Sequence, residues 1–76
     1  MEYDDDKIDE TVLAVLLLTL HQDYYVWKNI DWDVMDRLHE KGYIDNPKSK
    51  AKSVSLSDDG LEKARNIFDK LFGKEK

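Results

Sequence analysis

Ser57-Asp58-Asp59-Gly60-Leu61 is the stretch that decides the fold, because it begins a helix directly after a short strand. Ser57 is a favourable N-cap, since its hydroxyl can accept from a backbone N–H of the first turn. The two acids after it lie where the positive end of the helix dipole favours them. The pattern therefore predicts a helix that starts at Ser57.

This last helix is predicted to pack on the core through apolar residues at helical spacing, namely Leu61, Ala64, Phe68, Leu71 and Phe72. Gly73 follows the last of them and fits the C′ position, where the left-handed conformation favours glycine. We therefore expect the helix to end at Gly73.

Another helix is predicted upstream, with both of its ends marked. Asp31 is the expected N-cap, and Gly42 fits C′ with Tyr43 folding back over Leu38. The face toward the core carries Val34, Met35 and Leu38. The outward face carries three acids and one base: Asp33, Asp36, Glu40 and Arg37.

A polar arm, residues 45–52, connects these two helices. It begins with turn residues around Pro47 and carries three lysines, Lys48, Lys50 and Lys52. Tyr43 and Ile44 are predicted to start one strand, and the chain returns from Lys52 as another, with Val54 and Leu56 facing the core. Lysines do not suit a core face, so the arm is expected to project beyond the core as a β-wing.

The first helix is predicted from Lys7 to His21, with Asp6 as its N-cap. Its apolar residues form two stripes, one with Ile8, Val12, Val15, Leu16 and Thr19 and the other with Leu13, Leu17 and Leu20. Such a wide apolar surface predicts either a central helix or a seam with another chain. Leu13 and Leu17 are therefore candidate protein-interface residues.

The segment from Gln22 to Ile30 leaves two interpretations open, a short strand or an irregular aromatic cover. The simpler expectation is that its rings close the core. The alternative is an exposed contact for a partner protein, because Tyr and Trp are enriched in interface hot spots. Tyr24, Tyr25 and Trp27 are the candidate residues for such a contact.

Length and composition limit the possible classes of protein. The chain has 76 residues, 41% of them hydrophobic, and no cysteine, which predicts one domain over residues 1–76 without disulfides. Its longest apolar run, Val12 to Leu18, is far below the roughly 20 residues of a membrane span. No signal-peptide pattern precedes it, so we expect a cytoplasmic protein that does not bind membranes.

The charge is unevenly distributed along the chain. Residues 1–46 hold 12 acids and 4 bases, a balance of −8, whereas residues 47–76 hold 5 acids and 8 bases, a balance of +3. This acidic first half argues against bulk attraction to nucleic acid but leaves a local basic arm.

Two resemblances accompany these patterns. Residues 33–44, reading Asp-Val-Met-Asp-Arg-Leu-His-Glu-Lys-Gly-Tyr-Ile, together with residues 54–61, reading Val-Ser-Leu-Ser-Asp-Asp-Gly-Leu, resemble the recognition helix, wing and following helix of MarR-like winged-helix regulators. The whole chain, from the segment Met1 to Glu10 through the segment Trp32 to Gly42, also resembles a small prokaryotic family of uncharacterised function. The regulators have a further helix before the recognition helix, and about ten residues are too few for it here. The expected fold is therefore a mostly helical α+β domain, a trimmed winged helix with three helices and a two- or three-stranded β-wing.

DNA binding is the function that the winged-helix resemblance implies, with the second helix in the major groove and the wing on the backbone. Lys48, Lys50 and Lys52 are the candidate phosphate contacts, and Arg37 is the candidate base contact. The acids around Arg37 would repel phosphates, so this function is the alternative. The leading hypothesis is a non-enzymatic module for protein interaction or dimerisation.

Catalytic and metal sites have little support in the sequence. His21 and His39 have no serine or cysteine at motif spacing, and no phosphate-binding glycine loop is present. Asn29, Asp31, Asp33 and Glu40 match positions of a calcium loop, but Val34 occupies the place of its required glycine. We therefore expect no enzyme activity, no cofactor and no metal.

Overall fold

The computed structural model describes residues 2–28, 31–48 and 50–74. Its helices are α1 (Asp5–Leu16), followed by a 3-10 turn at Leu17–Thr19, α2 (Trp32–Glu40) and α3 (Asp58–Phe72). Two short strands, β1 (Tyr25–Trp27) and β2 (Ser53–Ser55), pair in antiparallel fashion. The prediction of a mostly helical α+β fold is confirmed.

The sheet connects the two halves of the chain through one buried pair. Val26 of β1 lies opposite Val54 of β2, and both side chains are buried. The strand expected at Tyr43 and Ile44 is reduced to a single bridge between Ile44 and Leu56. The arm therefore leaves the fold between this bridge and β2.

Helix α1 begins earlier and ends earlier than predicted. The N-cap is Asp4 rather than Asp6, and its carboxylate accepts from the Lys7 N–H at 3.1 Å. The helix ends at Leu16 rather than His21. The Thr19 hydroxyl donates to the Leu16 carbonyl at 2.8 Å and accepts from the Trp27 N–H at 3.0 Å, so it offers the backbone an alternative to further helix.

The predicted ends of α2 are confirmed. The Asp31 carboxylate accepts from the Asp33 N–H at 3.2 Å. Gly42 has a φ of +80°, its N–H donates to the His39 carbonyl at 3.0 Å, and the Tyr43 N–H donates to the Leu38 carbonyl at 3.0 Å. These two bonds form a Schellman motif, which stops the helix at the glycine.

Helix α3 starts and ends where predicted, but the conformation at its end differs. The Ser57 hydroxyl accepts from the Gly60 N–H at 2.9 Å, which confirms the N-cap. Gly73 was expected in the left-handed region, but its φ is −64° and the backbone is extended. Leu71 and Phe72 were expected in the core and are instead 52% and 53% exposed.

The core lies where α1, α2 and the sheet meet. Its wholly buried large apolar residues are Leu13, Leu16, Val26, Met35 and Leu38. Ala64 is the contact of α3 with this core, and Leu61 packs at its edge. Ile8, placed on a core stripe of α1 by the sequence, is exposed on the surface.

Candidate functional site

A surface groove of about 660 Å³ lies between the arm and the start of α2. Trp27 at the end of β1 and Trp32 at the start of α2 line it, and their side chains are 59% and 62% exposed. Lys50, Ala51 and Lys52 of the arm, together with Lys28, complete the lining. We call this feature the tryptophan groove.

The scaffold holds the tryptophan groove at several points. Trp27 lies opposite Ser53 in the sheet, and the ring of His21 meets its indole edge-on at 6.2 Å between centroids. The Lys28 N–H donates to the Lys52 carbonyl at 3.0 Å, which fixes the arm to the strand that carries Trp27. The side of the groove that carries Trp27 therefore stands on paired backbone.

The arm lysines lie on the surface, as expected from their charge. Lys48, Lys50 and Lys52 are exposed, and none of them makes an ion pair with another residue in the described part of the chain. The turn at the base of the arm is fixed by Asn46, whose side chain accepts from the Lys48 N–H at 3.0 Å. Lys50 and Lys52 lie at the groove, whereas Lys48 is not part of its lining.

Arg37 does not lie on a free outward face, which corrects the expectation that it could contact a base. Its Nε and Nη2 atoms donate to the carboxylate of Asp9 at 2.8–3.0 Å. Asp9 is wholly buried, and Lys41 also donates to it, at 3.1 Å. Arg37 is therefore engaged in joining α2 to α1.

The cluster of Asp9, Arg37 and Lys41 holds its charges strongly. Burial alone would raise the pKa of Asp9, but the hydrogen bonds from Arg37 and Lys41 outweigh it and lower that pKa below the ordinary value. Burial would lower the pKa of Lys41, but its bonds to Asp6 and Asp9 raise it. The hydrogen bond to Asp9 raises the pKa of Arg37 as well. All three groups are charged at neutral pH.

The remaining outward residues of α2 are acidic. Asp33 and Glu40 are exposed, and Asp36 is half-buried. With Arg37 bound to Asp9, this helix offers acids rather than a guanidinium to an approaching phosphate. The electrostatic term that dominates binding to duplex DNA is therefore unfavourable along this face.

The predicted interface residues have separate fates. Leu13 is wholly buried and Leu17 packs against the core, so Leu13 offers no surface to a partner. The expectation that the aromatic rings close the core is wrong for Tyr24 and Trp27, both of which are exposed. Tyr25 is half-buried and contacts Tyr24 with 4.8 Å between ring centroids. Val26, which lies between Tyr25 and Trp27, is the residue that closes the core.

The fold places Ser53 beside His21, although the two residues are not at a motif spacing in the sequence. The Thr19 carbonyl can only accept, so the Nδ1 atom of His21 donates to it at 2.8 Å, and Nε2 lies 3.2 Å from the Ser53 hydroxyl. A nucleophilic serine also needs an oriented base whose positive charge is stabilised, usually by a carboxylate. Here a neutral carbonyl holds the ring, so we interpret the pair as a link between the turn and β2.

His39 contacts the chain after α2, and the calcium-loop pattern falls only partly within the described residues. The Nδ1 atom of His39 donates to the Ile44 carbonyl at 3.1 Å, which fixes its ring to the chain after α2. Asn29 of the calcium-loop pattern lies outside the described residues. Within the ranges that the structure describes, no three His, Asp or Glu side chains gather as a metal site would require.

Sequence reasoning missed two important residues, Trp32 and Asp9. At 100° per residue, Trp32 lies roughly 110° from the centre of the core stripe of α2, so a helical projection would have placed it near the surface. Asp9 precedes Val12 and Leu13 by three and four residues, which puts a carboxylate on the buried face of α1. A charge in that position is a signal for a buried ion pair.

A second exposed surface lies at the end of α3. The rings of Phe68 and Phe72 are 5.0 Å apart between centroids, and Leu71 lies beside them in sequence. We call these three residues the apolar end of α3. Arg65, Asp69 and Lys70 are exposed on the same turns, so charges of both signs accompany it.

Comparison with known proteins places nearly all of the chain in one family. The family described as Domain of unknown function (DUF6429) matches residues 4–74. The uncharacterized protein y4hR of Sinorhizobium fredii (strain NBRC 101917 / NGR234) is 51% identical over 72 residues, which cover 95% of this chain and 97% of that protein. No solved structure matches. The predicted resemblance to a small prokaryotic family of uncharacterised function is confirmed. The likeness of the back half to MarR-like regulators stays a prediction.

No helix in the described ranges has both the length and the apolar character that a membrane crossing requires.

Proposed function

The chain belongs to the DUF6429 family, and from its geometry we propose that it is a non-enzymatic protein-interaction module that pairs with a second copy of itself. The observation that carries this proposal is the apolar end of α3. The apolar stripe of this helix is buried at Ala64 and then continues into solvent at Leu71 and Phe72. An amphipathic helix normally buries such a stripe, so its exposed part is suited to another chain.

A second copy is the partner that this surface suits best. Two-fold symmetry brings a patch onto itself, so the apolar end of α3 needs no complement other than its own. The flanking Arg65 and Lys70 of one protomer can meet Asp69 of its partner, because both signs are present. A domain of this size also gains from burying more apolar surface than its own core provides.

Sedimentation equilibrium over a range of protein concentrations tests this proposal. We expect a reversible monomer–dimer equilibrium. The double substitution Leu71→Ser and Phe72→Ser should raise its dissociation constant at least about tenfold, which corresponds to a loss of roughly 1.4 kcal/mol in the free energy of dimerisation. Trp32→Ser is the matched control, since it removes an exposed aromatic residue from another surface. A wild-type monomer at high micromolar concentration would overturn the proposal.

The alternative function, a DNA-binding regulator, has support from the exposed lysines of the arm. It has less support from α2, since Arg37 is bound to Asp9 and the exposed neighbours are acids. A mobility-shift assay at low salt tests it with duplex DNA. If charge reversal at Lys48, Lys50 and Lys52 leaves the binding unchanged, the arm is not the binding element.

A further inference from the structure

The tryptophan groove places exposed indole rings beside lysine cations, and one class of ligand complements both. Trp27 and Trp32 are each about three-fifths exposed, although Trp normally buries most of its surface in a folded domain. Lys50 and Lys52 stand beside them on the arm. Flat rings and nearby cations are suited to a ligand that carries both aromatic faces and negative charges.

The lysines distinguish a nucleic acid from a protein partner at this groove. Protein–protein interfaces are enriched in Trp and Arg but depleted in Lys. Sites for single-stranded nucleic acid instead combine cations that follow the backbone with aromatic side chains on which bases stack. Lys50 and Lys52 make no ion pair with other described residues, so their charge is available to phosphates.

The ligand must be single-stranded for the indoles to be used. In a duplex the faces of the bases are stacked inside and only their edges reach the grooves. Beyond Trp32, α2 presents the exposed Asp33, so a second strand that lay along this helix would meet repulsion. A single strand can enter from the arm side and leave the acidic face uncovered.

We propose that the tryptophan groove binds single-stranded nucleic acid, with bases stacked on Trp27 and Trp32 and phosphates held by Lys50 and Lys52. This site is separate from the apolar end of α3 and goes beyond the self-association proposed above. The groove volume of about 660 Å³ lies within the roughly 300–1,000 Å³ that is usual for ligand sites. The groove therefore accommodates a short stretch of strand, with no preference in sequence expected from stacking alone.

The test is a fluorescence-anisotropy titration of a labelled ten-residue oligothymidylate at low salt. We expect Trp27→Leu and Trp32→Leu each to weaken binding about 5- to 150-fold, because stacking on one aromatic side chain is worth roughly 1–3 kcal/mol. Trp→Phe at the same positions keeps a ring and is expected to restore part of the affinity. This rescue separates stacking from a loss of fold, which thermal unfolding of each variant checks independently.

The salt dependence tests the lysines. Two phosphate contacts to a single strand give a slope of log affinity against log salt of about −1.4, and we expect the Lys50→Ala, Lys52→Ala variant to lose that slope. Lys48→Ala is the matched control, since Lys48 belongs to the arm but does not line the groove. Absence of binding at low salt would overturn the proposal. Equal or tighter binding of a duplex would overturn it too, as would equal competition by a polyglutamate peptide.

Discussion

Asp9→Asn tests the cluster that joins α1 to α2. The wild-type carboxylate is wholly buried and accepts three bonds of 2.8–3.0 Å from Arg37 and one of 3.1 Å from Lys41. Removing one member of a buried ion pair typically costs about 3–5 kcal/mol. The side chains of Arg37 and Lys41 are 32% and 30% exposed, so water can solvate them in part when the carboxylate is removed. We therefore expect a destabilisation at the lower end of this range, about 3 kcal/mol. For a domain of this size, that loss lowers the melting temperature by roughly 12–24 °C.

Asp6→Asn is the matched control for this substitution. Asp6 also binds Lys41, at 3.0 Å, but its side chain is 82% exposed. An exposed ion pair contributes little, so we expect a change within about 0.5 kcal/mol. Chemical denaturation of both variants at neutral pH measures the difference. Equal losses for the two substitutions would refute the reasoning that burial makes Asp9 decisive.

The pH dependence gives a second readout of the same cluster. The pKa of Asp9 is lowered in the folded state, so its contribution to stability is present above the unfolded carboxyl pKa, near 4, and is lost as pH falls through the lower folded value. Lys41 has the opposite sign. Its raised pKa gives stability that is present below its ordinary value of 10.5 and is lost at higher pH. The Asp9→Asn variant should therefore lose less stability than wild type on acidification below pH 4.

Three further substitutions probe the backbone, each measured by chemical denaturation. A Cβ at Gly60 would overlap the Tyr43 carbonyl, so Gly60→Ala should destabilise the domain. In a helix without such a clash, replacing glycine by alanine usually stabilises by about 1 kcal/mol. A gain in stability here would contradict the packing of α3. Gly42→Ala meets no atom within 4 Å and should cost only about 1 kcal/mol through its φ of +80°. Ser57→Ala removes the cap on the Gly60 N–H and should lower the free energy of unfolding by about 1 kcal/mol. An unchanged stability would show that the cap does not contribute.

The helix boundaries that the sequence predicted correctly depend on local chemistry. Asp31, Gly42 and Ser57 act on backbone groups within a few residues of themselves, so neighbouring residues suffice to identify them. The early end of α1 escaped prediction because it depends on Thr19 accepting from Trp27, eight residues along the chain and in another element. A local pattern carries no signal for such a partner.

The candidate sites show the same division. The exposure of the arm lysines followed from their charge, because strand parity alone would have placed them on the core side with Val54 and Leu56. The fate of Arg37 could not follow from its helix alone, because its partner Asp9 is 28 residues away. The tryptophan groove also needs the tertiary fold, since it forms only when the arm returns beside β1 and places Lys52 next to Trp27.

The exposed end of α3 was unexpected for a related reason. Helical spacing shows which residues share a face, but it does not show how far the rest of the fold extends along that face. Leu71 and Phe72 share the stripe of Ala64, which is buried, and yet both are more than half exposed. The proposed self-association rests on these apolar residues, which follow the core stripe of α3 but are exposed.

The most direct test of that proposal is a dilution series followed by heteronuclear NMR of the wild-type protein. If two copies pair through the apolar end of α3, the resonances of Phe68, Leu71 and Phe72 will shift on dilution while those of Trp27 and Trp32 stay in place. Resonances at the end of α3 that do not change with concentration would contradict the account, and so would changes confined to the tryptophan groove.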